Sequence, residues 1–511
     1  MGCERMGNQV NEGNSILKIA TDKNKVREII LQASAPLNNG TDEISMADYL
    51  VSEGVKDKLC HVNGIGSMVY DGKRWAQDPD GIKADKELQE RCKETVSIIR
   101  SKLFGFDEKD PNQAEAKKIL AARAAAVDAY SGHNKRSALM KTLRPHISRQ
   151  MSSLDGVPGT LNTPCGFVDL SGNALFDASP AYGFTQVTCA HYDREAHSEV
   201  WQHFLLEVMS GDVERAKFLQ KLCGYAIAGN PVEDIAVVLY GATTRNGKTT
   251  FLNALQGALG DYARGLNPAA LAATRTNNAG APSEEFARLR AVRLVVAQEA
   301  PANMLLDAAL LKTLTGRDRI IARYLYQQSF EYTPEFVIFL STNHLPRVND
   351  MTLFSSNRLI VVPFERHFEE HEQDKELAAK LSTPEAQSAI LNWCIEGYQT
   401  YKREGLRANM PKAVQEAVKE YRQDSDVIGK FLEECTIECR GGKIQASSMY
   451  SLYTRWAEEN GHSPMTQTRL SIELKQRGLS KGRSSEMRFF ADIMPRSDLP
   501  WSSGAPYSVT G

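Results

Sequence analysis

Apolar residues follow two different rhythms along this chain. From Ser45 to about Gln150 they recur at helical spacing, as in Met46, Tyr49 and Leu50, which predicts a mainly helical region. The alanine-rich stretch from Ala114 to Ala129 predicts a helix on propensity alone. One interruption, from Met68 to Trp75, reads as a hairpin turning at Asp71-Gly72. Pro158 to Ala181 is rich in Gly, Pro and Asn and predicts loops with short extended pieces such as Phe167–Leu170. Helical spacing returns from about Glu195 to Ala228. The second rhythm then begins. Ile235–Tyr240, Leu294–Ala297, Phe336–Leu340 and Leu359–Val362 are short, unbroken apolar runs, the pattern of strands buried on both faces. Helical patterns separate them, so a mostly parallel, helix-flanked sheet is expected, an α/β fold. After Pro363 the chain reads as helical to about Arg422. Asp424–Phe490 reads as several short helices and a closing strand.

Composition narrows the picture only slightly. The 511 residues carry 61 basic and 63 acidic side chains, a formal charge of −2. That balance excludes a histone-like or tail-driven nucleic-acid binder but permits a local basic channel. The nine cysteines are scattered and form no CxxC pair, so reduced thiols are expected rather than a zinc ribbon. Cys435 and Cys439 are the only close pair. No apolar run approaches the ~18 residues of a membrane span, and the first residues lack a signal-peptide pattern. A cytoplasmic protein, in a bacterial host, is expected, with no membrane partner.

Chemistry enters after the first apolar run. Ile235–Tyr240 leads directly into Gly241, Ala242, Thr243, Thr244, Arg245, Asn246, Gly247, Lys248, Thr249 and Thr250, and then an amphipathic stretch from Phe251 to Leu259. Strand, glycine-bearing loop and helix are the context of a phosphate-binding loop. Backbone N–H groups wrap the phosphates, the helix start adds its positive end, and Lys248 neutralises the β/γ charge. Thr249 can hold Mg²⁺ through its hydroxyl, so ATP and Mg²⁺ are the expected cofactors. The spacing departs from G-x-x-x-x-G-K-[ST]: Ala242 stands at the first motif position, which is tolerable if its φ stays negative.

A phosphate loop by itself means nucleotide binding and no more. A motor also needs an acid at the tip of a neighbouring strand. Leu294–Ala297 runs into Gln298-Glu299, making Glu299 the candidate for water activation and metal assistance; the alternative is a surface Glu past a strand. Phe336–Leu340 runs into Ser341-Thr342-Asn343, and Asn343 is the candidate sensor of the γ-phosphate. Its alternative is a turn-forming Asn before His344-Leu345-Pro346.

The run from Gly241 to Phe364 resembles the ATPase domain of superfamily 3 helicases, in particular the phage/plasmid and poxvirus-type primase-helicases. The matching pieces are TTRNGKTT, RLVVAQE, LLKTLTGRDRIIARYLYQQSFEYTPEFVIFLSTNHLPRV and SSNRLIVVPF, in order. Weaker likeness extends upstream through LCGYAIAGNP and NTPCGFVDLSG to Met46. Downstream, VIGKFLEEC through MRFFADI is similar to the winged-helix tail of these proteins. The resemblance implies an AAA+ core, a hexameric ring and 3′→5′ translocation on single-stranded DNA. It implies a channel hairpin within Lys312–Phe330, with Arg323, Tyr324 and Tyr326 near its tip. Arg would contact phosphate there and Tyr would stack on bases; the alternative is a buried Tyr pair with Arg in a salt bridge. It makes Arg358 the arginine finger, reaching a neighbouring subunit's γ-phosphate, although Asn357 stands where a second Arg is common. A solvated charge before a strand is the alternative. Only about 45 residues precede the matched region, too few for the primase of relatives, so helicase without primase catalysis is expected.

The expected organisation is a partly flexible leader (1–45), a mainly helical N-terminal or collar domain (46–228), the ATPase domain (229–422), a winged-helix-like domain (423–495) and a flexible tail (496–511). Between Arg469 and Phe490, Lys475, Arg477, Lys481, Arg483 and Arg488 outnumber Glu473 and Glu486, which suits duplex binding or a docking module with a solvated basic face. The leading reading is an ATP-dependent ring helicase that unwinds DNA during replication of a phage, plasmid or integrated element. Its partners would be single-stranded and forked DNA, further copies of itself, and a primase or host replication proteins. The rival is an ATP-dependent origin-binding scaffold that recruits host enzymes without processive unwinding. A small-molecule kinase would need none of the sensor, hairpin and finger.

Overall fold

Alternation along each buried strand builds the centre of the molecule. The structure, a computed structural model, describes residues 21–38, 40–273, 284–325, 327–483 and 488–498. Five strands form one all-parallel sheet in the spatial order Leu359–Pro363, Ala236–Tyr240, Val337–Thr342, Leu294–Gln298, Ala263–Gly265. Val237, Leu239, Leu294, Val296, Phe339 and Ile360 point into one core; Ala236, Val238, Val295, Ile338, Leu340 and Val361 point into a second core on the other face. Both faces are covered, so every position has to be apolar and the strands read as unbroken runs. The short edge strand Ala263–Gly265 has exposed Arg264 and Gly265 and carries no such run.

The core does not break at the expected 228/229 boundary. Helices Glu199–Val208 and Val213–Ile227 bury Trp201, Phe204, Leu219 and Leu222 in the same cluster as the sheet. Leu161 and Val168, from the small sheet Thr160–Thr163, Gly166–Asp169 and Ala174–Phe176, join that cluster as well. Arg293, at the start of a central strand, is buried and donates to the carbonyls of Thr160 and Ile227. Arg290 pairs with Asp155 at 3.0 Å. These are ties between polar groups in a core, and hydrophobic spacing carries no trace of them.

Further upstream, helices Ile82–Ser101, Pro111–Asp128 and His133–Ile147 form a separate core with Glu43–Ser52. Lys23–Gln32, within the stretch expected to be a leader, is a helix whose Val26 and Ile30 are buried in that core. The expected hairpin is present, with Gly66–Tyr70 pairing Trp75–Gln77. The C-terminal unit runs helix Val427–Cys435, strand Thr436–Gln445, helices Ala446–Glu459 and Gln467–Gln476, then strands Lys481–Arg483 and Arg488–Pro495. The last strand lies between the other two. That order is a winged helix.

Candidate nucleotide site and nucleic-acid interface

The candidate phosphate loop is shaped by close approaches. Gly247 precedes helix Lys248–Leu259 at φ 80, and a Cβ there would fall 2.4 Å from Val208 Cγ1. A Cβ on Gly241 would fall 2.2 Å from Asn246 Nδ2 and 2.5 Å from the Phe364 carbonyl oxygen. Ala242 keeps a negative φ, and the loop reverses instead at Arg245, φ 58. No side chain caps the helix start, so its first-turn N–H groups are left for an anion. The segment after the edge strand braces the loop from outside, with Phe368 N donating to the Arg245 carbonyl at 2.9 Å.

Lys248 is 5% exposed. Its Nζ donates to Asn343 Oδ1 at 2.7 Å and Asn246 Oδ1 at 2.9 Å, with the Gly241 carbonyl at 3.4 Å. Among the described residues no carboxylate pairs with it, and burial pulls its pKa down to about 8. A buried cation held only by neutral oxygens suits an anion that comes from outside the fold.

Glu299, Asn343 and Gly241 lie at the C-terminal tips of three adjacent parallel strands, where Gln298 pairs Ser341 and Thr342 pairs Tyr240. Glu299 takes a left-handed backbone, φ 62, while its N–H donates to the Ser341 carbonyl at 3.1 Å. A non-glycine residue in that region costs on the order of 1 kcal/mol or more. Its carboxylate is exposed, as is Thr249. Two free oxygen donors beside an anion site suit Mg²⁺, a hard cation that keeps several waters. Among the described residues no group of three or more His, Cys, Asp or Glu stands ready to hold a metal, and no helix is long and apolar enough to cross a membrane.

The structure therefore gathers Lys248, Thr249, Glu299 and Asn343 and leaves Arg358 apart. Arg358 precedes the edge strand at the opposite end of the sheet, where its carbonyl accepts from Ala236 N at 2.8 Å. Its side chain, 12% exposed, pairs with Asp234 of the same chain at 2.8 Å and donates to Thr315 Oγ1. Asp234 escaped the sequence reading because an acid just before a strand is an ordinary surface residue there.

Strands Ile320–Ala322 and Phe330–Tyr332 form the expected hairpin. Arg323 at its tip is exposed, and Leu325 is 60% exposed. Tyr324 takes the packed alternative: its ring stacks on Phe330 at 5.5 Å, its hydroxyl donates to the Ala287 carbonyl at 3.0 Å and accepts from Gln77 Nε2 at 3.2 Å. Stacking on a base would require undoing these contacts. Tyr326 lies outside the described residues. In the winged helix, Lys481 sits over the Phe490 ring at 5.6 Å and donates to Ser471 Oγ. Burial, then the charges of Lys475 and Arg488, lower its pKa, so three cations share one face. Arg477 is not one of them, being tied to Asp426 at 2.6 Å and Glu473 at 3.0 Å.

Three family models match the chain: D5 N terminal like over residues 43–210, a family of unknown function (DUF5906) over 239–358, and Poxvirus D5 protein-like over 423–486. The chain is similar to the proposed helicase 022R of Frog virus 3 (isolate Goorha), 28% identical over 271 residues, which span 50% of this chain and 28% of that protein. It is also similar to the proposed helicase L207/L206 of Acanthamoeba polyphaga mimivirus, 25% identical over 317 residues, 58% of this chain and 32% of the relative. The matched stretch thus spans about a third or less of these relatives' length. Among solved structures, the apo C-terminal region of NrS-1 is 13% identical, covering 59% of this chain and 76% of that one, with a TM-score of 0.37.

Proposed function

We propose that the chain is a member of the D5-like primase-helicase family, within the superfamily 3 helicases, and an ATP-driven DNA helicase acting in replication of a virus, phage or other mobile element; the D5 N terminal like and Poxvirus D5 protein-like matches and the helicase-named viral relatives support this reading. The observation that carries this reading is the buried Lys248, which meets Asn343 and, among the described residues, no carboxylate; Asn343 lies one strand away from Glu299. Phosphate oxygens would take over Lys248 from Asn246 and Asn343, releasing the Asn343 amide to orient the attacking water. Glu299 polarises that water, and Thr249 with Glu299 would hold Mg²⁺, whose charge offsets that building on the leaving phosphate. The working form is a ring, hexameric, in which the hairpin draws single-stranded DNA with 3′→5′ polarity and Arg358 completes a neighbour's site. Strand displacement from a 3′-tailed duplex, dependent on ATP and lost in Lys248→Ala, is the direct test. Tight DNA binding and ATP turnover with no displacement would instead favour the origin-remodelling scaffold. Arg358 held within its own subunit and Tyr324 held within the core are the observations on that side.

At the hairpin tip the expected effect now rests on Arg323. Arg323→Ala is expected to weaken single-strand binding and to reduce the salt slope by about 0.7, the value of one lost phosphate contact. An unchanged slope, measured by titrating a labelled oligonucleotide at several salt concentrations, would remove Arg323 from the DNA path.

A pH dependence follows from Lys248. The free protein loses this proton as pH rises through about 8, whereas phosphate beside the ammonium holds it. ATP binding is therefore expected to take up a proton at pH 8.5, and its affinity to fall by up to about tenfold per pH unit above that point. Calorimetry in two buffers of different ionisation enthalpy reads the uptake directly; equal apparent enthalpies would contradict it.

A further inference from the structure

A cleft of about 900 Å³ separates the ATPase core from the winged helix. The loop that follows the sensor strand forms one wall, with His344, Arg347 and Asn349. His462, Ser463 and Arg469 of the winged helix stand on the other. Helix Lys412–Ser425 joins the two units, and its Tyr421 hydroxyl donates to the Pro346 carbonyl at the cleft floor.

The charges in this cleft are unevenly matched. Each acid lining it is neutralised from within the winged helix or its approach: Asp424 by Lys430 at 3.2 Å, Asp426 by Arg477 at 2.6 Å, Glu473 by Arg477 at 3.0 Å and Arg469 at 3.1 Å. Arg347 has no such partner. Its guanidinium is exposed and makes no hydrogen bond or ion pair with any described residue. Its backbone is fixed, with N donating to the Met304 carbonyl at 2.7 Å and its own carbonyl accepting from Leu306 N at 2.9 Å. Facing it, His462 stacks on Trp456 with ring centroids 5.7 Å apart, and its side chain has no hydrogen-bond partner among the described residues. Burial, and then the positive charges of Arg347 and Lys430, disfavour the protonated imidazole. Two units of the fold thus set Arg347, which has no acidic partner among the described residues, across a gap from an imidazole whose protonation that arginine disfavours. Apolar surface from Leu345, Met351, Val427 and Met465 lines the same space.

We propose that this cleft is a binding site for single-stranded nucleic acid, in which Arg347 meets a phosphodiester and His462 and Arg469 approach the same strand from the winged helix. The inference rests on the helicase reading and extends it from the hairpin to a second place on the strand's path. An arginine without an acidic partner among the described residues, facing a stacked imidazole across mixed apolar and polar walls, suits a charged backbone bearing flat bases. The volume is that of a pocket for a small ligand or a few nucleotides, too small to admit a duplex. The wing face, with Lys475, Lys481 and Arg488, remains for duplex. Asn343 lines this cleft and accepts from Lys248, so a strand in the cleft adjoins the nucleotide site.

The test is equilibrium binding of a labelled oligothymidylate to the full chain, without ATP turnover, so a failed motor does not obscure it. Arg347→Ala is expected to weaken oligothymidylate binding about tenfold at low salt and to reduce the salt slope by about 0.7. His462→Glu is expected to weaken it as well, and blunt duplex of equal length should bind both variants as it binds the wild type. Thermal unfolding of each variant checks that the fold is retained, as the exposure of Arg347 predicts. Unchanged oligothymidylate affinity and slope in both variants would overturn the proposal while leaving the helicase reading standing. Equal losses on duplex would overturn it too, as would displacement of the strand by thymidine monophosphate at matched phosphate concentration.

Discussion

Lys248→Met is expected to lower ATP turnover by a factor on the order of 10²–10³, the usual loss when one preorganised group facing transition-state charge is removed, while the protein still folds. Two opposed effects set the stability. Burial pulls the wild-type lysine from 10.5 to about 8, so keeping the ammonium inside at neutral pH costs about 3 kcal/mol, and methionine avoids that cost. Methionine also leaves the Asn246 and Asn343 side-chain oxygens without their donor, about 1–3 kcal/mol for each that stays unsatisfied. The two effects leave a net change within about 3 kcal/mol of zero, its sign set by how many of the two oxygens stay unsatisfied. Its pH dependence has a definite sign. The folded-state pKa lies below the unfolded one, so the penalty is complete below about pH 8 and fades as pH rises toward 10.5. The wild type should therefore gain stability on Lys248→Met over that interval. Phosphate release and thermal unfolding measured on the same preparations separate lost chemistry from lost fold. A variant that unfolds at assay temperature would show that the lysine is a structural group first.

Arg358→Ala is expected to cut ATP turnover by about 10³ or more if the guanidinium acts on a neighbour's γ-phosphate, and Asp234→Ala by less than tenfold. The two variants are informative together because one ion pair at 2.8 Å joins them. In a ring, Arg358 has to leave Asp234 to reach across the interface, so removing Asp234 frees the finger. If the pair merely ties the start of the edge strand to the approach of the phosphate-loop strand, both substitutions lower the melting temperature and turnover together. Mixing Arg358→Ala with wild type supplies the decisive reading. An interface residue poisons mixed rings, so activity falls faster than the fraction of wild type. A linear dependence on that fraction would return Arg358 to the structural role that its cis contacts describe.

Much of the site was legible because its parts sit in uninterrupted local patterns. A buried parallel strand has to be apolar on both faces, and four of the five central strands appear as such runs. The residue after each strand tip is then placed almost automatically, which is why Lys248, Glu299 and Asn343 converge in the structure. Gly241 and Gly247 were legible for a similar reason, since a close backbone approach admits no Cβ. Arg358 and Tyr324 are a different case. Arginine beside a strand and tyrosine near a hairpin tip are equally compatible with a free side chain and a packed one, and the outcome depends on distant residues: Asp234 and Thr315 for the first, Ala287, Phe330 and Gln77 for the second.

The sequence by itself determined the parallel sheet, the glycine-bearing loop after its first strand and the order in which the candidate residues meet, because periodicity and strand-tip position are properties of neighbours in the chain. Only the tertiary structure decided that residues between Leu161 and Ala228 share the core of the parallel sheet, that Lys248 faces no acid among the described residues, that Arg358 is tied within its own chain, and that Arg347 faces His462 across a cleft. Each of those depends on which distant polar groups end up within a few ångströms of each other. Apolar spacing along the chain does not encode that, since ion pairs and orphaned charges form by contact in space after the cores have closed.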